Sequence, residues 1–168
     1  MNLQVQISMC LCLKDVLQQV DWGLFNMLKV NFYDNINDSL LEFAVIISKS
    51  QGKWVFCKHK GRNTYECPGG HRDDGEDILT TAKRELYEET GAIDYSIKQI
   101  CVYSVCGNDG MIENKIETYG MLYYADITKF EELPNYEMEK IDLFDSLPDN
   151  WTYPEIQPRL LEKAKNVM

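Results

Sequence analysis

GHRDDGEDILTTAKRELYEETGA, residues 70–92, changes from loop to helix composition along its length. Its first residues are rich in Gly and Asp, which is loop composition. From about Asp77 to Thr90 good helix formers follow, and Gly91 stands at the C′ position that ends a helix. Leu79, Ala82 and Leu86 give that helix an apolar side to lay on a sheet. Glu85, Glu88 and Glu89 fall within about 100° of one another around the helix axis. Three carboxylates so close repel, and like charges at these spacings lower helix stability. A hard cation with oxygen ligands removes the penalty; octahedral magnesium suits best, and manganese can substitute. The competing reading is a solvated acidic face, which an isolated Glu-Glu pair would favour. The attached glycine loop and Arg84 weigh against it.

The neighbours of the three carboxylates have readings of their own. Gly69 and Gly70 allow close backbone approach to a metal, with the Gly70 carbonyl as a further ligand. Glu76 sits at the helix start, where the dipole favours a carboxylate, so capping and a site role both explain it. Arg84 is one turn before Glu88 and can pair with it.

Outward from this stretch, LKVNFY (28–33) reads as a strand and DNINDS as a turn. LEFAVIIS (41–48) and KWVFCKH (53–59) form a hairpin around the turn at 51–53. GRNTYECPGGHRDDGED (61–77) has loop composition. Beyond the helix, 96–105 and 115–127 read as strands, with another at 140–144. Thr152-Tyr-Pro-Glu155 has capping-box spacing, which predicts a final helix to about Lys165. Strands interleaved with two helices indicate an α/β fold, a mixed sheet covered by helices.

Residues 70–92 also resemble a complete Nudix box. The family pattern, Gly, five residues, Glu, seven residues, then Arg-Glu-aliphatic-x-Glu-Glu-x-Gly-aliphatic, is filled by Gly70, Glu76, Arg84, Glu85, Leu86, Glu88, Glu89, Gly91 and Ala92. Ala92 stands where a larger aliphatic residue is usual. The run WVFCKHKGRNTYECPGG before the box is similar to Nudix members described as MutT-like, or 8-oxo-dGTP diphosphatase-like. Cys67 departs from the Phe or Leu common before Pro-Gly-Gly.

The resemblance implies an α/β/α sandwich with a mixed sheet between helices. It implies magnesium held by Gly70, Glu85, Glu88 and Glu89, with Arg84 orienting the carboxylates. A further carboxylate from outside the box often serves as base, and the position of Glu137 before the late strand favours it over Glu139. The implied reaction converts a nucleoside triphosphate, such as 8-oxo-dGTP, to a monophosphate and pyrophosphate. Removal of pyrophosphate from RNA 5′ ends is the nearest enzymatic alternative; a nucleotide-binding regulator on the same scaffold is the alternative from another class.

Lys58, Lys60 and Arg62 precede the box where substrate phosphates should lie, although solubility explains such charges equally well. Phe56, Tyr65 and Tyr103 are candidates to stack a base, against the commoner reading of aromatics as core. His59 and His71 match no catalytic pattern.

The 168 residues suit one domain, and 45% hydrophobic content describes a globular chain. A net charge of −10 argues against extended nucleic-acid binding but not against phosphate chemistry through bound cations. No apolar run approaches the roughly 20 residues of a membrane span. Oligomeric state is left open. Six cysteines without a Cys-x-x-Cys pair read as reduced thiols of a cytoplasmic protein, and a structural zinc is not expected. The domain is expected over 27–168. Residues 1–26 lack a clean period and read either as dispensable or as an amphipathic helix on the domain.

Overall fold

The computed structural model describes residues 28–108, 113–165 and 167, so the amino-terminal segment 1–26 lies outside the described residues. The strands are β1 (Lys29–Tyr33), β2 (Leu41–Ser50), β3 (Lys53–His59), β4 (Gly69–His71), β5 (Ala92–Asn108), β6 (Glu113–Phe130) and β7 (Met138–Phe144). Helix α1 spans Ile78–Thr90 and α2 spans Gln157–Lys165. The sheet runs in the order β1-β5-β6-β2-β3-β7, with β4 paired to β2. The β2–β6 pair is parallel and the others are antiparallel, which makes the sheet mixed, as expected.

Alternation along the strands divides the core into two layers. Ala44, Ile46, Val55, Val102, Met121 and Tyr123 face α1 and meet its Ile78, Ala82 and Leu86. Ile47, Phe56, Tyr103 and Leu122 face the other way, toward Leu160, Leu161 and Ala164 of α2. The result is the α/β/α sandwich. Truncating a fully buried anchor such as Leu86 to Ala should cost about 2–5 kcal/mol.

Helix α1 begins at Asp77, whose side chain accepts from the Thr80 N–H at 2.7 Å. It ends at Gly91 in the left-handed region (φ 71°), whose N–H donates to the Tyr87 carbonyl at 2.8 Å. The apolar side differs from expectation at one position: Leu79 is 39% exposed, and Ile78 is buried instead. At about 100° per residue, Ile78, Ala82, Leu86, Glu85 and Glu89 share one arc and Leu79 lies at its edge. Two of the three acidic residues therefore occupy the sheet-facing side of the helix.

Three further differences have local causes. The stretch read as loop contains β4, whose glycines pair with Ala44 and Val45 although their composition signals a turn. Strands β5 and β6 extend beyond 96–105 and 115–127 because register shifts, as at Gln99/Cys101 and Val105/Gly107, break the alternation that marks a strand. Helix α2 begins at Gln157, not at the Thr152 cap. Thr152 is committed elsewhere, its N–H donating to the Tyr65 carbonyl at 2.9 Å and its hydroxyl meeting that of Thr64 at 2.8 Å. Among the described residues Cys57, Cys67, Cys101 and Cys106 are free thiols.

Candidate active site

The carboxylate end of α1 meets β4 at a cleft of about 470 Å³, also bordered by the chain entering β7. Glu85, Glu88 and Glu89 line it together with Gly70, Arg84 and Glu137. Glu89 accepts a hydrogen bond from the Gly69 N–H at 2.8 Å. Burial pushes its carboxyl well above the ordinary carboxylate range; this hydrogen bond opposes the shift, and the nearby Glu85 charge adds to it. Glu85 is also buried, and burial raises its carboxyl against the opposing pull of Arg84. Gly70 packs so closely on Glu85 that a Cβ added there would lie 2.5 Å from the Glu85 carboxyl carbon.

Arg84 organises this group. Its Nη1 donates to Glu85 Oε1 at 2.7 Å and lies 3.3 Å from Glu88 Oε2. Its Nε and Nη2 grip Glu76 at 2.8 and 3.1 Å, and Nη2 also donates to the His71 carbonyl at 2.9 Å. The guanidinium beside Glu76 holds that carboxyl down to about 2. Glu76 also accepts from the Thr81 hydroxyl at 2.9 Å. It thus anchors Arg84, while Asp77 is the residue that caps the helix.

The residues proposed from outside the box separate. Glu137 lines the cleft, its carboxylate 3.8 Å from the His59 imidazole. Glu139 turns away to pair with Lys58. Lys60 donates to the Asn135 side chain and to the Tyr136 carbonyl, both at 2.7 Å. Neither lysine lines the cleft, whereas Arg62 does, 3.4 Å from Glu66. His59 and His71 both reach the cleft wall.

A second cavity of about 440 Å³ adjoins the first and shares Arg62, Glu66, Gly69, Gly70, His71 and Tyr153 with it. Its far side is apolar, with Phe43, Tyr103, Val105, Ile156 and Leu160. Of the three aromatic candidates only Tyr103 lines it. Phe56 is in the core with its ring 4.9 Å from Trp151, and Tyr65 donates to Asp142 and packs on Phe144. Glu66, Phe43 and Gln157 belong to this second cavity and carry no pattern in the sequence that marks them.

The donor set is all oxygen and includes two buried carboxylates whose ionised forms lack full compensation, which fits a hard divalent cation. Among the described residues no three His, Cys, Asp or Glu side chains are already gathered at coordinating separation. Arg84 engages Glu85 and Glu88, and Gly69 engages Glu89, so these side chains must turn to share an ion.

A NUDIX domain profile matches residues 39–140. A Bacillus subtilis (strain 168) protein provisionally named 8-oxo-dGTP diphosphatase YtkD is 34% identical over 126 residues, covering 74% of this chain and 75% of that protein. RNA pyrophosphohydrolase of Actinobacillus pleuropneumoniae serotype 5b (strain L20) is 38% identical over 48 residues, 29% of this chain and 23% of that enzyme. Among solved structures, a mutant form of the Bacillus subtilis pyrophosphohydrolase BsRppH superposes with a TM-score of 0.69 at 28% identity, covering 84% of this chain and 92% of that one. The chain belongs to the Nudix hydrolase family. It is a hydrolase of acid-anhydride bonds, acting on a nucleotide diphosphate linkage. Enzymes of this family generally require a divalent metal, commonly magnesium. Among the described residues no helix is long and apolar enough to cross a membrane.

Proposed function

We propose that this enzyme hydrolyses a nucleoside triphosphate, with 8-oxo-dGTP or a related (d)NTP as substrate, to a nucleoside monophosphate and pyrophosphate. The adjacency of the two cavities carries the reading: an acidic cleft suited to metal and phosphates shares six lining residues with a more apolar cavity suited to a base. The similarity to the Bacillus subtilis protein named 8-oxo-dGTP diphosphatase supports the choice of substrate.

In this reading Glu85, Glu88, Glu89 and the Gly70 carbonyl hold magnesium, for which manganese can substitute. When bound, the cation neutralises charge on the phosphates and acidifies the attacking water. Arg84 orients Glu85 and Glu88 from Glu76, which fixes it on the opposite side. Glu137 accepts the proton of the water, whose oxygen attacks phosphorus in line as the bond between the α- and β-phosphates breaks, giving monophosphate and pyrophosphate. Arg62, the one of the three proposed cations that lines the cleft, meets the phosphates, while Lys58 and Lys60 are engaged by Glu139 and by Asn135 and Tyr136. A reducing, cytoplasmic setting fits six cysteines without a Cys-x-x-Cys pair in a domain of this size.

Similarity to an RNA pyrophosphohydrolase over 48 residues favours a second reading, removal of pyrophosphate from RNA 5′ ends. A chain of net charge −10 is poorly suited to hold more than the first one or two nucleotides. The deciding experiment measures pyrophosphate release with magnesium from the four dNTPs, 8-oxo-dGTP and 5′-triphosphate RNA. Highest kcat/KM on 8-oxo-dGTP supports the first reading, and on RNA the second. Nucleotide binding without metal-dependent turnover would make the protein a nucleotide-sensing regulator instead.

A further inference from the structure

The second cavity contains a polar group whose orientation the fold fixes. Gln157, the first residue of α2, is only 4% exposed and lines the cavity. Its Oε1 accepts from the backbone N–H of Cys67 at 3.0 Å. A backbone N–H can only donate, so the amide cannot flip, and Nε2 is the atom left to face other groups. Among the described residues Nε2 itself makes no hydrogen bond. A buried donor without a partner carries a desolvation cost that an incoming acceptor removes. Glu66, the residue before Cys67, is 6% exposed and lines the same cavity, with a carboxylate whose side-chain partner is Arg62 at 3.4 Å. A pinned donor and a buried acceptor thus stand in a cavity whose other walls include Phe43, Tyr103 and Leu160.

We propose that Gln157 and Glu66 read the lactam edge of a 6-oxopurine, so that this cavity selects guanine- or hypoxanthine-type bases over adenine. The C6 oxygen accepts from Gln157 Nε2, and the adjacent N1–H donates to the Glu66 carboxylate. Adenine in the same orientation opposes donor to donor at C6 and acceptor to acceptor at N1. The inference rests on reading this cavity as the nucleoside site.

The test is calorimetric binding of GMP, IMP, AMP and 2,6-diaminopurine riboside monophosphate to the full chain in EDTA, with turnover of the matching triphosphates measured separately. GMP and IMP should bind about tenfold or more tighter than AMP and the diaminopurine analogue, the penalty expected when polar groups of a site are left unpaired. Gln157→Glu keeps an acceptor for the Cys67 N–H but converts the free donor to an acceptor. The preference for GMP over AMP should then shrink or reverse while Tm is retained. A purely structural role for Gln157 would leave the preference unmoved. Equal affinity for all four ligands, no binding of any, or a diaminopurine analogue bound like GMP overturns the inference, and these arms need no variant. An unchanged preference in a folded Gln157→Glu overturns it as well. A preference for GMP without hydrolysis of any nucleotide would refute the proposed reaction and leave this inference standing. Turnover without base preference would do the reverse.

Discussion

The Gly69 N–H donates to the Glu89 carboxylate at 2.8 Å, joining β4 to the last turn of α1 across twenty positions of chain. Glu89 is thereby held on the sheet side of its helix, where burial raises its carboxyl. Replacing it with Gln keeps an acceptor for Gly69 and removes the charge a cation needs. Glu89→Gln, and Glu88→Gln beside it, should each lower kcat/KM by about a hundredfold or more with the fold intact. Steady-state kinetics at saturating magnesium test this; near-normal turnover in either variant would refute the metal assignment.

Gly70 offers a sharper separation of site from scaffold. A methyl group there would strike the end of the Glu85 side chain, not backbone. A flexible side chain can move away, so Gly70→Ala should change Tm little. The displaced carboxylate is one of the proposed ligands, so turnover should fall by about tenfold to a hundredfold. Parallel thermal melts and magnesium-dependent kinetics would show the split, and equal loss in both would instead make Gly70 a folding residue.

Arg84 holds Glu76, Glu85 and the His71 carbonyl with one planar fork, which a lysine cannot reproduce. Arg84→Lys should lower kcat by roughly tenfold to a hundredfold and raise the magnesium concentration needed for half-maximal rate. If the variant keeps its magnesium dependence, Arg84 does not set the positions of the carboxylates.

Part of this arrangement was readable in the sequence because it is local. The carboxylate spacing, Arg84 and Gly91 all lie within one helix and its cap, where three or four residues decide who is neighbour to whom. The pairing of β4 with β2 was not readable, because Gly69 and Gly70 take part through backbone groups and leave no side-chain period. Gln157 was hidden for a related reason: Thr152 offers a cap by composition, but its N–H and hydroxyl are taken by Tyr65 and Thr64, so the helix starts later. Lys58 shows the converse. Its sequence position predicts phosphates, yet the β3–β7 pairing places Glu139 within its reach.

The site carboxylates should leave opposite marks on acid stability. Glu76 has a folded value near 2 against an ordinary 4.5, so its contribution is present above about 4.5 and lost as pH falls toward 2. Glu85 and Glu89 are raised above 4.5 in the fold, so their contribution is full below that value and lost as pH rises through their folded values. Metal-free protein should therefore lose stability on account of these two residues as pH rises above about 4.5 and through their raised folded values. In Glu89→Gln that decline should be shallower. Thermal melts in EDTA across the range give the comparison, and identical slopes would mean that Glu89 does not titrate there.

Magnesium should reverse the same loss. The like-charge pairs Glu85–Glu88 and Glu85–Glu89 each cost roughly 0.2–0.5 kcal/mol on an exposed helix, and burial of Glu85 and Glu89 adds to this. An ion that binds the folded chain alone stabilises it by RT ln(1 + [L]/Kd), about 1.4 kcal/mol at ten times the dissociation constant. For a domain of this length that corresponds to a rise of roughly 3–6 °C in Tm. Glu88→Gln removes one ligand and one source of repulsion, so it should respond less to magnesium and differ least from wild type in EDTA. Affinity for the bare ion is expected to be weak, because magnesium keeps several waters and is often bound jointly by carboxylates and phosphates. The titration is therefore run with and without a nonhydrolysable nucleoside triphosphate, and the gap between the two proteins should widen when the nucleotide is present. Identical responses of wild type and Glu88→Gln in both series would place the metal away from α1.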